Sequence, residues 1–243
     1  MEKIHFWNGN KSAARQAYEL SLIESLFSDE YEIYNDTTDY PKAEDEGAIF
    51  SAGADVLVTV AGNSKFNGKA FIALQQPLAK QLLGQRIMIT RNEMSETFHS
   101  IRQLSQLATL RSGIPATWAD ADLFRANGCQ VVEKGDLTTI FQQLANHECD
   151  YVALGANEVE AIYQQHAAPL SSLIIEPTLM LHYPLPLVFY VHPARADLAA
   201  LIQKRCTPAF IEPIFRHHYG DCVARLNLTQ RKQIRMNNPF LSH

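Results

Sequence analysis

Four cysteines in 243 residues, none of them in a C-x-x-C pair, give the chain neither a disulfide scaffold nor a cysteine-based metal site. No stretch approaches the roughly 18 apolar residues that a membrane-spanning helix needs. Basic residues are in the minority, 21 Lys and Arg against 26 Asp and Glu, so a formal charge of -5 excludes a non-specific polyanion binder. No G-x-G-x-x-G follows a strand, which removes support for a dinucleotide site. G-x-S-x-G and H-E-x-x-H are missing too, and with them the usual hydrolase and zinc-protease chemistry. The opening residues, MEKIHFWNGNKSAARQ, lack the apolar core and cleavage site of a secretory signal. Taken alone this points to the cytoplasm, but a chain whose signal had been removed would look the same.

Near-misses are equally informative. Gly62 to Ala70 resembles a phosphate-binding P-loop, but Asn63 stands where the spacing needs Gly and Ala70 where it needs Ser or Thr. His217 and His218 are adjacent and point apart on a helix, so they do not share a metal. Glu44-Asp45-Glu46 reads as a solvated charge run. Glu158 begins a helix, where a carboxylate is favoured whether or not it binds anything. No catalytic, metal or cofactor site is expected.

What is present is a core. Hydrophobic residues make up 47% of the chain and recur along its whole length, enough for one large domain or two of about 120 residues. Short apolar strands alternate with amphipathic helices, which predicts α/β layering with mostly parallel strands. Ile4-Phe6-Trp7, Tyr31–Tyr34 and Val56–Val60 read as strands around a helix at 12–27 and a short one at 41–51. Strands at 71–74 and 86–91 follow. A second cycle has a helix near 97–107, a strand at 109–111 ending at Ser112-Gly113, and a helix at 118–126. Strand 130–133, a helix at 137–147, strand 151–154 and a helix opened by Gly155 and Asn157 complete it. An extended stretch at 172–191 precedes helical residues 196–225, which Pro208 and Pro213 break or kink.

The pattern therefore occurs twice. The expected organisation is a discontinuous first lobe, 1–91 plus 185–243, with a second lobe, 92–184, inserted through extended crossings near 88–93 and 182–188. Cys206 and Cys222 bracket a turn-containing stretch and are the pair to test for a bridge; the alternative is reduced, buried thiols.

Several ordered matches then carry a resemblance. Trp118-Ala119-Asp120-Ala121-Asp122-Leu123-Phe124 with Asn127-Gly128 is similar to a W-x-D-x-x-(I/L)-(L/F)…G stretch in a bacterial group related to the extracellular solute-binding proteins of polar amino-acid transporters (family 3-like). Gly135-Asp136, Cys149-Asp150-Tyr151 with Gly155 and Asn157-Glu158, Leu181-His182-Tyr183-Pro184-Leu185-Pro186 and Arg231…Asn237-Asn238-Pro239 follow in the same order. The resemblance covers roughly residues 77–240. It implies the type II periplasmic binding-protein fold: α/β, two doubly wound lobes joined by two crossing strands, with ligand in the cleft. It also implies export to the periplasm, with the signal removed. Two departures stand out. Such proteins usually carry an Arg that grips the ligand carboxylate before the first crossing, and here 65–76 holds only Lys65 and Lys69. They tend to place an acidic residue after the Tyr151-type strand to hold an amino group; here Gly155-Ala156-Asn157 intervenes before Glu158, and Leu154 stands where an Arg often precedes the Gly.

Ligands of doubly wound sheets bind beyond the carboxyl ends of the strands. That rule selects Trp7, Asn8, Asn63 and Gln76 from the first lobe, to which the resemblance adds Lys69 in the stretch where an Arg is expected. From the second it selects Gly113, Thr117, Trp118, Gly155 and Asn157; Arg91 and Arg111 are the best-placed cations, Tyr183 lies in the second crossing, and Glu158 is the nearest candidate for the acid the resemblance implies. Several have a structural alternative: Trp7 as core, Thr117 as a helix cap, with the same ambiguity for Gly155 and Asn157, Arg91 and Arg111 as surface or hinge residues, Tyr183 as a hinge-packing ring. The functional expectation is a monomeric, exported protein that captures a small polar, amino-acid-like solute for the membrane permease of an ABC importer. The alternative is a sensing or partner-binding protein with a degenerate site, acting on a membrane sensor. No nucleic-acid partner is expected.

Overall fold

The computed structural model describes residues 2–27, 29–116 and 118–241. In chain order the elements are β1 (Glu2–Trp7), α1 (Ala13–Phe27), β2 (Tyr31–Asp36), α2 (Ala43–Gly47), β3 (Val56–Val60), β4 (Ile72–Ala73) and β5 (Gln85–Arg91). Next come α3 (Ser95–Ser100), α4 (Leu104–Leu107), β6 (Arg111–Ile114), α5 (Asp120–Ala126), β7 (Gln130–Glu133), α6 (Leu137–Ala145) and β8 (Tyr151–Gly155). The remainder is α7 (Val159–Ile162), which continues as a wider turn over Tyr163–Ala167, then β9 (Leu173–Ile175), β10 (Leu179–His182), β11 (Leu187–Val191), α8 (Ala196–Arg205), α9 (Pro208–Arg225) and β12 (Lys232–Arg235).

The chain divides into two compact units. Unit one takes the chain up to Gln81 together with Leu185–Asp221. Unit two takes Leu82–Pro184 and Cys222–Leu241. This differs from the division read in the sequence at two places: β5 lies in unit two, and so does the chain from Cys222 to Leu241. Strand pairing gives the reason. One side of β5 is hydrogen-bonded to β8 and the other to β9 and β10, while β12 pairs with β10. Partner choice of that kind leaves no mark on local sequence pattern.

In unit one the sheet order is β2-β1-β3-β11-β4. β1 is parallel to β2 and β3, whereas β11 runs antiparallel to both β3 and β4. Val56, Leu57 and Val58 are fully buried, as expected of an unbroken apolar run covered on both faces. The stripe Tyr18, Leu22, Ile23, Leu26 and Phe27 of α1 is buried, and at about 1.5–3 kcal/mol per large apolar side chain this stripe is the main reason α1 holds. Pro208 opens α9 at a position where a missing N–H costs nothing, and Pro213 is accommodated inside it.

In unit two the order is β12-β10-β5-β8-β6-β7, with β9 beside β5. β6 is parallel to β7 and β8, but β5 is antiparallel to β8, β9 and β10. The sheets are mixed rather than mostly parallel. The helix expected over 97–107 is two short helices broken at Ile101, whose backbone is extended. Ser112-Gly113, expected as a turn after a strand at 109–111, is the middle of β6 instead. A Cβ on Gly113 would stand 2.7 Å from Cys149 Sγ and 3.1 Å from Ile140 Cγ2, so Gly113 allows α6 and the start of β8 to pack directly on the strand.

No disulfide joins Cys206 and Cys222, or any other pair of cysteines. Burial pushes the Cys129 thiol up to about 11 and the Cys149 and Cys206 thiols up to about 12. Among the described residues no helix is long and apolar enough to cross a membrane.

Candidate functional site

At the carboxyl ends of the unit-one strands, polar groups are saturated by one another. Gly9 lets the chain turn tightly beneath Thr38, because a Cβ there would overlap the Thr38 carbonyl. That carbonyl accepts the Trp7 indole N–H at 3.0 Å. Trp7 itself is 1% exposed, packed against Tyr40 and within a cluster that includes Phe50, Leu57, Phe66 and Tyr190. It is a core residue, with no face left for stacking on a solute.

Asn8 is fully buried, and its amide N–H groups go to the Gln16 carbonyl and to Asn35 Oδ1, while its Oδ1 accepts from Lys11 at 3.3 Å. It clasps the loop after β1. Lys11 and Arg15 converge on the buried carboxylate of Glu19. Burial lowers the Lys11 ammonium below its ordinary value, although Glu19 partly offsets this. Asn63 caps the turn at Ser64–Phe66 by accepting from Lys65 N, and donates to Thr59 Oγ1 at 2.8 Å. Lys65, one of the two lysines where the resemblance expects an Arg, is 2.7 Å from Glu46 Oε2. That oxygen also accepts from Asn10 at 2.7 Å. Lys69 is exposed. Gln76 lies elsewhere in the unit, beside the edge strand β4. It lines a cavity of about 320 Å³ with Leu74, Gln75, Phe189, Ile202 and Cys206.

Unit two separates its candidates between the two ends of the sheet. Arg111 opens β6, and Asp150 immediately precedes β8, so both lie at the amino ends of those parallel strands. Asp150 accepts from Arg111 backbone N at 2.8 Å, Nε at 3.1 Å and Nη2 at 2.9 Å. Burial alone would raise the Asp150 carboxyl; the bonds from Arg111 and Arg91 outweigh it and hold the group below its usual range. Arg91 ends β5, but β5 is antiparallel to β8 and its carboxyl end therefore meets the amino end of β8. The Arg91 guanidinium, 4% exposed, donates to the Leu144 and Cys149 carbonyls at 2.8 and 2.7 Å and lies 3.4 Å from Asp150. Arg91 and Arg111 form a structural clasp at the end of the sheet opposite to the one where ligands bind. The ligand-gripping role expected of them has no support there, nor does a direct role for Gly113, which is buried within β6. Thr117 lies outside the described residues.

At the carboxyl ends of β6 and β8 the picture changes. Across the β5–β8 ladder Gly155 pairs with Arg86. Arg86, 5% exposed, lies 2.6 Å from Asp120, the first residue of α5, and donates through Nε to the Tyr183 hydroxyl at 2.6 Å. Tyr183 is fully buried and its hydroxyl also donates to Asp120. Burial opposes the charge on Arg86, but Asp120 outweighs it and the guanidinium is held above its ordinary value. Burial raises the Tyr183 phenol well above its ordinary range. Arg86 and Asp120 were not among the residues expected to form the site. Their signal was a charged residue heading the apolar run Arg86-Ile87-Met88-Ile89, and an acid two places after Trp118.

Beside this triad the polar groups are unsaturated. Asn157 is 7% exposed, and neither its Oδ1 nor its Nδ2 has a hydrogen-bond partner. Its Oδ1 folds over the point where a Cβ of Gly155 would stand, and Glu158 Oε1 is 3.5 Å from the same point. The Glu158 side chain makes no cap bond to α7, although its charge is felt by Arg86. Trp118, in the neighbouring loop after β6, is half-buried. A buried amide with both atoms unpaired costs roughly 1–3 kcal/mol per group, and native structures keep such groups for a reason. Gly155, Asn157, Glu158 and Tyr183 are thus the predicted residues that unit two brings together, with Trp118 two residues before Asp120 in the chain. Among the described residues no cluster of His, Cys, Asp and Glu suits a metal ion.

No protein-family model matches the chain, and no curated protein is significantly similar to it. Solved structures match its fold: it is that of the type II periplasmic solute-binding proteins. One similar structure comes from work on glutathione import via GshT and the cystine ABC importer TcyBC of Streptococcus mutans, at 11% identity over 92% of this chain and 95% of that one, TM-score 0.61. Another is a double mutant of the VFT2 domain of Bordetella pertussis BvgS, at 14% identity over 93% of this chain and 92% of that one, TM-score 0.60. An ancestral arginine-binding protein bound to glutamine matches at 14% identity over 90% of this chain and 99% of that one, TM-score 0.60.

Proposed function

We propose that this is an exported, monomeric solute-binding protein that captures a small polar, amino-acid-like solute and delivers it to the membrane permease of an ABC importer. The observation that carries the reading is the unsaturated Asn157 amide beside Glu158, at the strand ends where solutes bind in such folds. Fold similarity to an arginine-binding protein and to a protein of glutathione import supports it. The solute undergoes no chemistry in this reading.

The test is thermal unfolding against a panel of amino acids, amines and small carboxylates. A solute at 100 times its dissociation constant stabilises the native state by about 2.7 kcal/mol. For a chain of this length that raises the melting temperature by roughly 5–11 °C. No shift across the panel overturns the solute-binding reading. A second reading is favoured by the engagement of Lys65 with Glu46, which leaves unit one without the expected carboxylate grip, and by similarity to a histidine kinase sensor domain. In it the protein signals to a membrane sensor; capture of such a sensor, with no response to solutes, selects this reading.

A further inference from the structure

We propose that the solute presents a protonated amino group and carries no carboxylate. This rests on the solute-binding reading and narrows it. The cations nearest the strand ends are already committed: Lys65 to Glu46 at 2.7 Å, Lys11 and Arg15 to Glu19, and Arg86 to Asp120 at 2.6 Å. Lys69, Lys134 and Arg235, which also lie near strand ends, are exposed, and a fully hydrated cation holds an anion weakly. The uncommitted groups beside Gly155 are the carboxylate of Glu158 and the Asn157 amide, whose carbonyl lies over Gly155 with Glu158 and whose NH2 is a neutral donor without charge to offer an anion. Arg86, Asp120 and Glu158 by themselves sum to one negative charge. Trp118 supplies a half-buried indole, with no ring partner among the described residues, on the loop after β6. An ammonium gains from a carboxylate, an amide carbonyl and an indole face together. A carboxylate brought to the same place meets the like charge of Glu158 and, among the described residues, finds no buried unpaired cation.

The experiment pairs each amine with its parent amino acid in isothermal titration: agmatine with arginine, cadaverine with lysine, histamine with histidine, tyramine with tyrosine. The expected result is at least one amine bound ten-fold or more tighter than its parent acid. Glu158→Gln should weaken that amine at least ten-fold while leaving the melting temperature of the unliganded protein within about 1 °C of wild type. An amino acid bound as tightly as its amine, or amine affinity unchanged in Glu158→Gln, overturns the proposal and leaves the solute-binding reading standing. Binding of neither member of any pair overturns both.

Discussion

Asp150 offers the sharpest separation of support from solute binding. Replacing it with Ala removes the acceptor of the Arg111 backbone N–H, a loss of roughly 1–3 kcal/mol for a buried donor left unpaired. It also takes one of two counter-charges from Arg91, whose side chain is only 5% exposed; the other, Glu93, stays 3.0 Å from Arg91 Nε. Removing one partner of a buried pair costs about 3–5 kcal/mol when nothing replaces it. Here the Leu144 and Cys149 carbonyls remain as acceptors, so the loss should fall near the lower end. The Arg111 side chain, 41% exposed, adds under about 1 kcal/mol. We expect a total of about 3 kcal/mol, which lowers the melting temperature by roughly 6–12 °C. Asp150→Asn should cost about half as much, because its amide oxygen still accepts from the backbone.

The loss should also depend on pH. The folded-state carboxyl is held below its ordinary value, so its contribution is complete above about pH 4 and fades as the pH falls through the lower folded value. Melting curves of wild type and Asp150→Asn should therefore converge in acid. Solute affinity, measured well below the melting point, should be unchanged. A melting shift below about 2 °C, or affinity lost with stability intact, refutes the assignment of Arg91 and Arg111 to a structural clasp.

Further expectations follow from the same geometry. Gly113→Ala should cost about 1–3 kcal/mol through overlap with Cys149 Sγ, and Cys149→Ala in the same chain should recover part of it; additive losses in this double-mutant cycle would contradict the contact. Tyr183→Phe removes the hydroxyl shared by Arg86 and Asp120 and should destabilise by about 1–2 kcal/mol without abolishing folding, checked by chemical denaturation. Cys129, Cys149 and Cys206 stay protonated at pH 8, since burial raises them to about 11, 12 and 12. A thiol reagent should therefore reach them only in denaturant, and rapid labelling of any of the three in the native protein contradicts their burial.

Legibility varied with the physics of each segment. Val56–Val60 and the α1 stripe were plain because burial on both faces, or on one helical face, writes directly into composition. β12 was invisible: Lys-Gln-Ile-Arg is an edge strand with one buried residue, Ile234. β6 was misplaced because a strand with Ser and Gly at its centre looks like a turn unless the groups pressing on it are known. The strand-end rule pointed to Gly155 and Asn157, which do lie at the carboxyl end of β8, a strand parallel to its neighbour β6. The placement expected of Arg91 failed, because strand direction is a tertiary property and β5 is antiparallel. Arg86, Asp120 and Tyr183 are far apart in sequence, and only the folded sheet reveals them as one group.

The dependence of β10 on β12 has a consequence for synthesis. About fifty residues separate the two strands, several seconds of elongation at roughly 5–20 residues per second. Until β12 has been made, the buried side chains of Leu179, Met180 and Leu181 belong to a strand with one bare hydrogen-bonding edge. Such an edge is a template for pairing with another chain. Premature termination anywhere before Lys232 leaves it permanently open, so truncated products should aggregate even when every residue of the Asn157 site has been made.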